Sequence, residues 1–430
     1  MRKSHIRHII PRWQAKVGRY RSRATFVCIT GSSAKSSTVG MLSHILEGLA
    51  PVHSQILANC FGTSVRTLRA ISPPHRYVVC EIGSEGPGTL QRMIDLIKPS
   101  VGVVTLVGLE HYSAFRSLDV VAEEKRKLIE ALPKSGLAVL NRDDPRVRSM
   151  ASRTQARVAT FGKSGGEYRI TGTQAAAPGE LSVTIAHAGE TFEIKTQLTG
   201  AHNSLAVAAA FACAHQLGAP VSLIKDRLTS FQPVFGRCSA HFIEKGPVFI
   251  ADTGKAPYYS IYLSINMMAE FIAPRRRIVI GKISDFAGSP SPKYRDVYRA
   301  SRLVADQVIF VGDDAHRSKA TAEDIAEGRF VEKRSVEEAA EFLKETAIPG
   351  EIILLKSAAR LHLERILINF ESQVRCWEQR CGKGYDCLRC GSYAIPFEQQ
   401  RQMERQRRLE ASRWEAALVR AWPRQYLPGV

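Results

Sequence analysis

Nine residues, Thr30-Gly31-Ser32-Ser33-Ala34-Lys35-Ser36-Ser37-Thr38, join a short apolar run at 26–29 to a stretch of helical spacing (Met41, Leu42, Ile45, Leu46, Leu49). A strand that turns directly into a helix aims the helix's free N–H groups and positive dipole end at one point, which suits a phosphate. Lys35 would reach the outer phosphates of a nucleotide, and the Ser36 hydroxyl could ligate Mg²⁺. The usual spacing G-x-x-x-x-G-K-[ST] is not met, because Ile29 and Ala34 occupy its glycine positions. A plain polar turn is the alternative reading of the same residues. Glu81 ends a second apolar run at 77–80 and is followed by Gly83 and Gly88. An acidic residue at the carboxyl end of a parallel strand could hold Mg²⁺, or serve as a helix-start carboxylate. His111 and Lys125 follow a third run at 101–107. Singly, each reads as readily as a structural histidine or a solvated lysine.

A different chemistry is suggested near the end of the chain. Cys376, Cys381, Cys387 and Cys390 give C-x₄-C-x₅-C-x₂-C, with Gly382, Gly384 and Gly391 available for tight turns. Four thiolates are what tetrahedral Zn²⁺ requires, while redox-active or merely free thiols are the alternatives. Further on, Trp414, Leu418, Ala421 and Trp422 fall on one helical face, a stripe suited to docking on the protein's own body or on a partner.

The elements that must position these groups alternate. Between 24 and about 217, apolar runs at 26–29, 77–80 and 101–107 are separated by helical stretches at 37–49 and 90–97, the texture of a mostly parallel sheet. Residues 167–173 and 181–195 alternate as antiparallel strands would, and 205–217 is an Ala-rich helix. A second α/β unit starts near Arg237, with strands expected at 248–251, 277–280, 307–311 and 351–356. The expected organisation is a basic arm (1–23), an α/β domain (24–235), a second, smaller α/β domain (236–370) and a Cys-containing helical tail (371–430).

Composition sets the outer limits. The 430 residues carry 60 Lys+Arg against 41 Asp+Glu, a formal net charge of +19, with 44% hydrophobic residues. Disorder and coiled coil are excluded as the main architecture, and no apolar run is long enough to span a membrane. The charge favours anionic partners. Part of it is local: residues 1–23 hold eight Lys or Arg and no acid, which reads as a solvated basic arm, with contact to an anionic surface or polymer as the alternative. That arm has no apolar segment of the secretory kind, and nine cysteines are an odd number, so a cytoplasmic location is expected. Nucleic acid is not expected as a partner, since no basic motif interleaved with aromatics is present.

Together the segments TGSSAKSST, ANCFGTSVRTL, CEIGSEGPG, VTLVGLEHYSAFRSLDVVAEEKRKLI, LNRDDPRV, TGAHNSLAVAAAFA, FGRCSAHFIEKGPVFIADTGKAP and LLKSAARLHLERIL resemble the Mur ligase family in order and spacing. The resemblance covers about residues 24–370 and is closest to the MurF branch. It implies a P-loop NTPase-like domain followed by a Rossmann-like one. The implied activity is an ATP-dependent carboxylate–amine ligase that works through an acyl phosphate and releases ADP and phosphate. By the same resemblance Gly31, Ser32, Ser33, Ala34, Lys35, Ser36 and Ser37 form the phosphate loop. Ser36 and Glu81 hold a first Mg²⁺, His111 holds a second, and Lys125 stands where the family has a carbamylated lysine. Asn203 matches an adenine contact, Arg237 and Asp252 match nucleotide-gripping positions, and Lys356 lies near the substrate end of the last sheet.

The sequence also departs from the family. Ala34 replaces the usual loop glycine, which raises the alternative of an ATP-binding interaction protein with impaired turnover. Only about 23 residues precede the first strand, with no counterpart of the family's UDP-sugar domain. The layout is therefore closer to the cyanophycin synthetase ligase module, folylpolyglutamate synthase and capsular polyglutamate synthase, and an acidic acceptor that is not UDP-linked is expected. A polymerising ligase is a further alternative. Asp252-Thr253-Gly254-Lys255-Ala256-Pro257 is also unusual, so the incoming amine is left open.

Overall fold

The computed structural model describes residues 3–421, with side chains for 11–407, 409 and 410. Its first sheet contains β1 (Thr25–Thr30), β2 (Val52–Gln55), β3 (Tyr77–Glu81), β4 (Val101–Val104), β5 (Leu137–Asn141), β6 (Arg157–Gly162), β7 (Tyr168–Gln174), β8 (Leu181–His187) and β9 (Glu190–Thr196). Their order is β2-β3-β1-β4-β5-β6-β7-β8-β9. The first seven run parallel, and β7, β8 and β9 form the antiparallel extension that their alternation predicts. β1 is flanked by β3 and β4, so the chain reverses its direction of winding there, and the loop after β1 opens at this switch point.

The second sheet contains β10 (Ser239–Phe242), β11 (Val248–Asp252), β12 (Arg276–Ile280), β13 (Gln307–Val311), β14 (Phe330–Lys333) and β15 (Ile352–Lys356), in the order β10-β11-β15-β12-β13-β14. Only β10 pairs antiparallel. Each sheet is apolar on both faces, and separate buried clusters fill the two sides, as expected for parallel strands covered by helices.

The basic arm touches the domain along one face. The basic arm is a helix, α1 (Lys3–Arg21), packed on α3 (Phe61–Ala70). Ala15 is fully buried, and a Cβ on Gly18 would run into the Leu68 carbonyl oxygen. Arg19 lies over the Phe26 ring and donates to the carbonyls of Ile97 (2.5 Å) and Lys98 (2.9 Å). Arg19 thus uses its stem and donor groups on the domain, while Arg12, Lys16, Arg21 and Arg23 stand exposed to solvent.

The tail is built on the second domain. The helix Arg365–Glu371 leads into a loop whose Val374, Trp377, Cys387 and Tyr393 pack with Ile368. A helix Phe397–Ala421 follows. Of the expected apolar stripe, Trp422 lies outside the described residues, and Trp414, Leu418 and Ala421 lie outside the described side chains.

Candidate functional site

The loop after β1 leads straight into α2 (Lys35–Glu47), whose N-terminus has no side-chain cap. Its first N–H groups are therefore free to meet an anion. The loop is fixed from the strand next door: Thr105 Oγ1 donates to the Ser33 carbonyl (2.6 Å), and Ser32 Oγ bonds both the carbonyl and the N–H of Gly108 (2.8 Å each). Gly31 is required, since at φ 149° any Cβ would strike Thr105 Oγ1. Ala34 has φ 67°, the left-handed conformation in which an alanine is strained. Replacing Ala34 with glycine should raise stability by about 0.5–1 kcal/mol and tighten nucleotide binding, read as the thermal midpoint with and without ATP. An unchanged midpoint would mean that the strain is relieved elsewhere.

Parallel pairing of β3 with β1, in register at Ile29 and Glu81, sets the Glu81 carboxylate beside this loop. Glu81 is buried and accepts from Ser36 Oγ (2.7 Å) and Leu57 N–H (3.0 Å), while its second oxygen has only a long contact with Asn59 (3.5 Å). A hydroxyl and a carboxylate with spare lone pairs are hard oxygen donors of the kind Mg²⁺ takes, alongside waters and phosphate.

A second group was not legible as a group in the sequence. Glu110 is ion-paired with Lys125, which is fully buried on the helix Leu118–Glu130, and lies 3.8 Å from Lys35. Burial would raise the Glu110 carboxyl, but Lys35 and Lys125 together hold it at about 2. Burial lowers Lys125, and Glu110 works against that. The Lys125 nitrogen is thus occupied: a carbamate there would set a second anion against Glu110. Lys35 Nζ folds back onto the Gly31 carbonyl oxygen.

The opposite wall comes from the second domain. Asp252 and Lys356 end β11 and β15 in register and are joined by an ion pair of 2.5 Å, and Lys356 also donates to the Lys255 carbonyl (2.9 Å). Lys255 is held down at about 8, first by the like charge of Lys35 and then by burial. The two walls enclose a cleft of about 380 Å³, lined by residues 32–37, Glu81, Asn203, Arg237, Asp252, Lys255 and Lys356 among others. Asn203 donates to the Thr199 carbonyl (2.7 Å). Beside it His202 is held at about 4 by burial, with its Nδ1 buried and unpartnered among the described residues. His111, half-buried with φ 47°, is not among the residues that line this cleft.

Most expected residues therefore converge. The cysteines at 376–390 lie apart, in a cavity of their own on the second domain. Glu110, Lys255 and His202 were missed as site residues, although each stands inside a quoted motif.

Residues 29–214 match the model of the Mur ligase middle domain. The UDP-N-acetylmuramoyl-tripeptide–D-alanyl-D-alanine ligase of Synechocystis is 26% identical over 84% of this chain and 76% of its own length. That of Mycobacterium tuberculosis is 28% identical over 78% and 70%. Among solved structures, MurF from Thermotoga maritima in complex with ADP superposes with a TM-score of 0.74 at 22% identity, covering 84% of this chain and 83% of that one. MurF from Acinetobacter baumannii gives 0.74 at 21%, covering 85% and 80%. The resemblance to the Mur ligase family therefore holds: residues 29–214 match its middle domain, and the fold is that of the MurF structures.

Proposed function

We propose that the protein is an ATP-dependent carboxylate–amine ligase. The observation that carries this is one cleft in which an uncapped helix N-terminus, Lys35 and the Ser36–Glu81 pair face Arg237, Lys255 and the Asp252–Lys356 pair from the other domain. The acid's carboxylate oxygen attacks the γ-phosphorus of ATP, the bond from γ-phosphorus to the bridging oxygen breaks, and ADP leaves. The amine nitrogen then attacks the acyl carbon, gives up a proton and expels phosphate, leaving an amide. Lys35 and the loop N–H groups stabilise the charge that spreads over the transferring phosphoryl group. Ser36 and Glu81 would hold Mg²⁺, which offsets phosphate charge when bound. Lys255 and Arg237 bring positive charge from the second domain, and closing the cleft keeps water from the acyl phosphate.

Glu110 supplies an anion where the family uses a carbamate, and Lys125 acts as an unmodified ammonium. His111, one residue from Glu110, is assigned to the second metal by resemblance alone. Asn203 and His202 offer polar groups to the base. The +19 charge suits an acidic acceptor.

The test is phosphate release from ATP and Mg²⁺ with pooled carboxylates and pooled amino acids. Release that requires both pools supports the ligase. ATP binding without release from any mixture supports the second reading, a nucleotide-binding protein stalled by Ala34, for which the left-handed backbone at that residue is the specific observation. Nucleotide affinity should also fall as pH rises through about 8, where Lys255 loses its proton and its charge toward the phosphates. Titration calorimetry from pH 6.5 to 9.5 reads this. A Lys255→Gln variant should bind more weakly at low pH and follow a flatter profile.

A further inference from the structure

We propose that a zinc ion binds among the thiolates of Cys376, Cys381, Cys387 and Cys390 and fastens the tail to the second domain. All four residues line one small cavity with His362, Arg365 and Lys383. Its free volume is about 10 Å³, room for one water-sized sphere and too little for an iron–sulfur cluster.

What favours thiolates over thiols is the set of nitrogens around them. Cys387 accepts from Arg365 Nε (3.2 Å), Cys376 from Arg365 Nη2 (3.8 Å) and Cys390 from Lys383 Nζ (3.0 Å), and Cys381 lies 3.1 Å from His362 Nε2. Each sulfur thus has a basic side chain beside it. Arg365 is 1% exposed, and among the described residues no carboxylate oxygen lies within ion-pair distance of it; its remaining bond goes to the Glu378 carbonyl. A buried guanidinium without a carboxylate needs an anion, and sulfur is what it faces. A tetrathiolate zinc centre carries two negative charges, which Arg365 and Lys383 offset.

Zinc binding would release the thiol protons and create the charge that these nitrogens face. Glu364 braces the site: it accepts from the Cys387 N–H (2.9 Å) and lies 3.2 Å from His362 Nδ1, which turns Nε2 toward Cys381. The donor atoms of His362, Glu364 and Cys387 already lie within 4.8 Å of one another. Binding would draw the sulfurs together to about 2.3 Å from the ion. The same tail segment borders the nucleotide side of the molecule: Tyr385, Asp386 and Arg389 line a gap with Leu57, Arg237 and Thr253.

The experiment is metal analysis of the full chain purified without chelator, followed by replacement with Co²⁺. About one zinc per chain is expected, with strong thiolate-to-cobalt charge transfer and the intense visible bands of a tetrahedral site. Cys387→Ser and Cys390→Ser should lower bound zinc at least tenfold, whereas Cys60→Ser, an exposed cysteine of the first domain, should not. The cobalt spectrum of the unaltered chain needs no variant, so a variant that misfolds does not decide the matter. A weak octahedral spectrum, or thiols that react with a disulfide reagent equally fast with and without zinc, would overturn the proposal. Loss of zinc in His362→Gln as complete as in the cysteine variants would overturn the four-sulfur assignment.

Discussion

Lys35→Ala is expected to lower phosphate release by a factor on the order of 10²–10³ or more, the usual cost of removing one preorganised donor to a developing anion. Lys35 opens α2, is 5% exposed, and lines the cleft between the free helix N-terminus and Glu110. No substitute stands at the same point. Lys255 comes from the opposite wall, and Lys125 is buried behind Glu110. The variant should stay folded, because the loop is held by Thr105 on Ser33 and by Ser32 on Gly108, neither of which involves the Lys35 side chain; only its contacts with the Gly31 carbonyl and Glu110 are lost. Nucleotide binding should weaken too, but less than turnover, since helix dipole and N–H groups remain. The comparison to make is single-turnover rate against ATP affinity. A rate within threefold of the unaltered protein would remove Lys35 from the chemistry and the ligase reading with it.

What the sequence made legible follows from how local each signal is. The loop at 30–38 and Glu81 could be read because each is a strand end followed by a turn, and the pairing of β1 with β3 then joins them. The strands β2, β10 and β14 have four residues each and lack a period of their own, and β5 and β6, though as long as β3 and β1, were also not read as strands. Glu110 acquires meaning only because a buried helix carries Lys125 under it, and Lys255 only because the second domain folds over Lys35; neither pairing leaves a spacing rule. His362 is likewise separated from the cysteines by a helix. The helical docking of the N-terminal arm was not legible for the opposite reason. Its charge count dominates its composition, while the positions that dock it, Ala15 and Gly18, are small and carry little hydrophobic signal.

Glu110→Ala is the second large effect. It leaves Lys125, fully enclosed, without its anion, and breaking such a pair costs about 3–5 kcal/mol. The pH dependence fixes the sign. Lys125 is lowered in the folded protein by burial, so its protonated form destabilises the fold, most fully at low pH, and the penalty fades as pH rises toward the ordinary 10.5. The thermal midpoint of the variant should therefore approach that of the unaltered protein at alkaline pH. Glu110 itself titrates at about 2 against an ordinary 4.5, so the unaltered protein loses this contribution as pH falls through that window. Without Glu110 the Lys125 amine is easier to deprotonate, and a neutral amine adds CO₂ to form a carbamate. Bicarbonate should thus raise both the midpoint and the activity of Glu110→Ala and leave the unaltered protein unchanged, and ¹³C-bicarbonate should give a carbamate resonance only in the variant. A carbamate resonance in the unaltered protein would mean that Lys125 parts from Glu110 in the working state. An unshifted midpoint in the variant would mean that the pair carries no net stability. If neither is found, Glu110 alone supplies the anion beside Lys125, and the site is complete without modification.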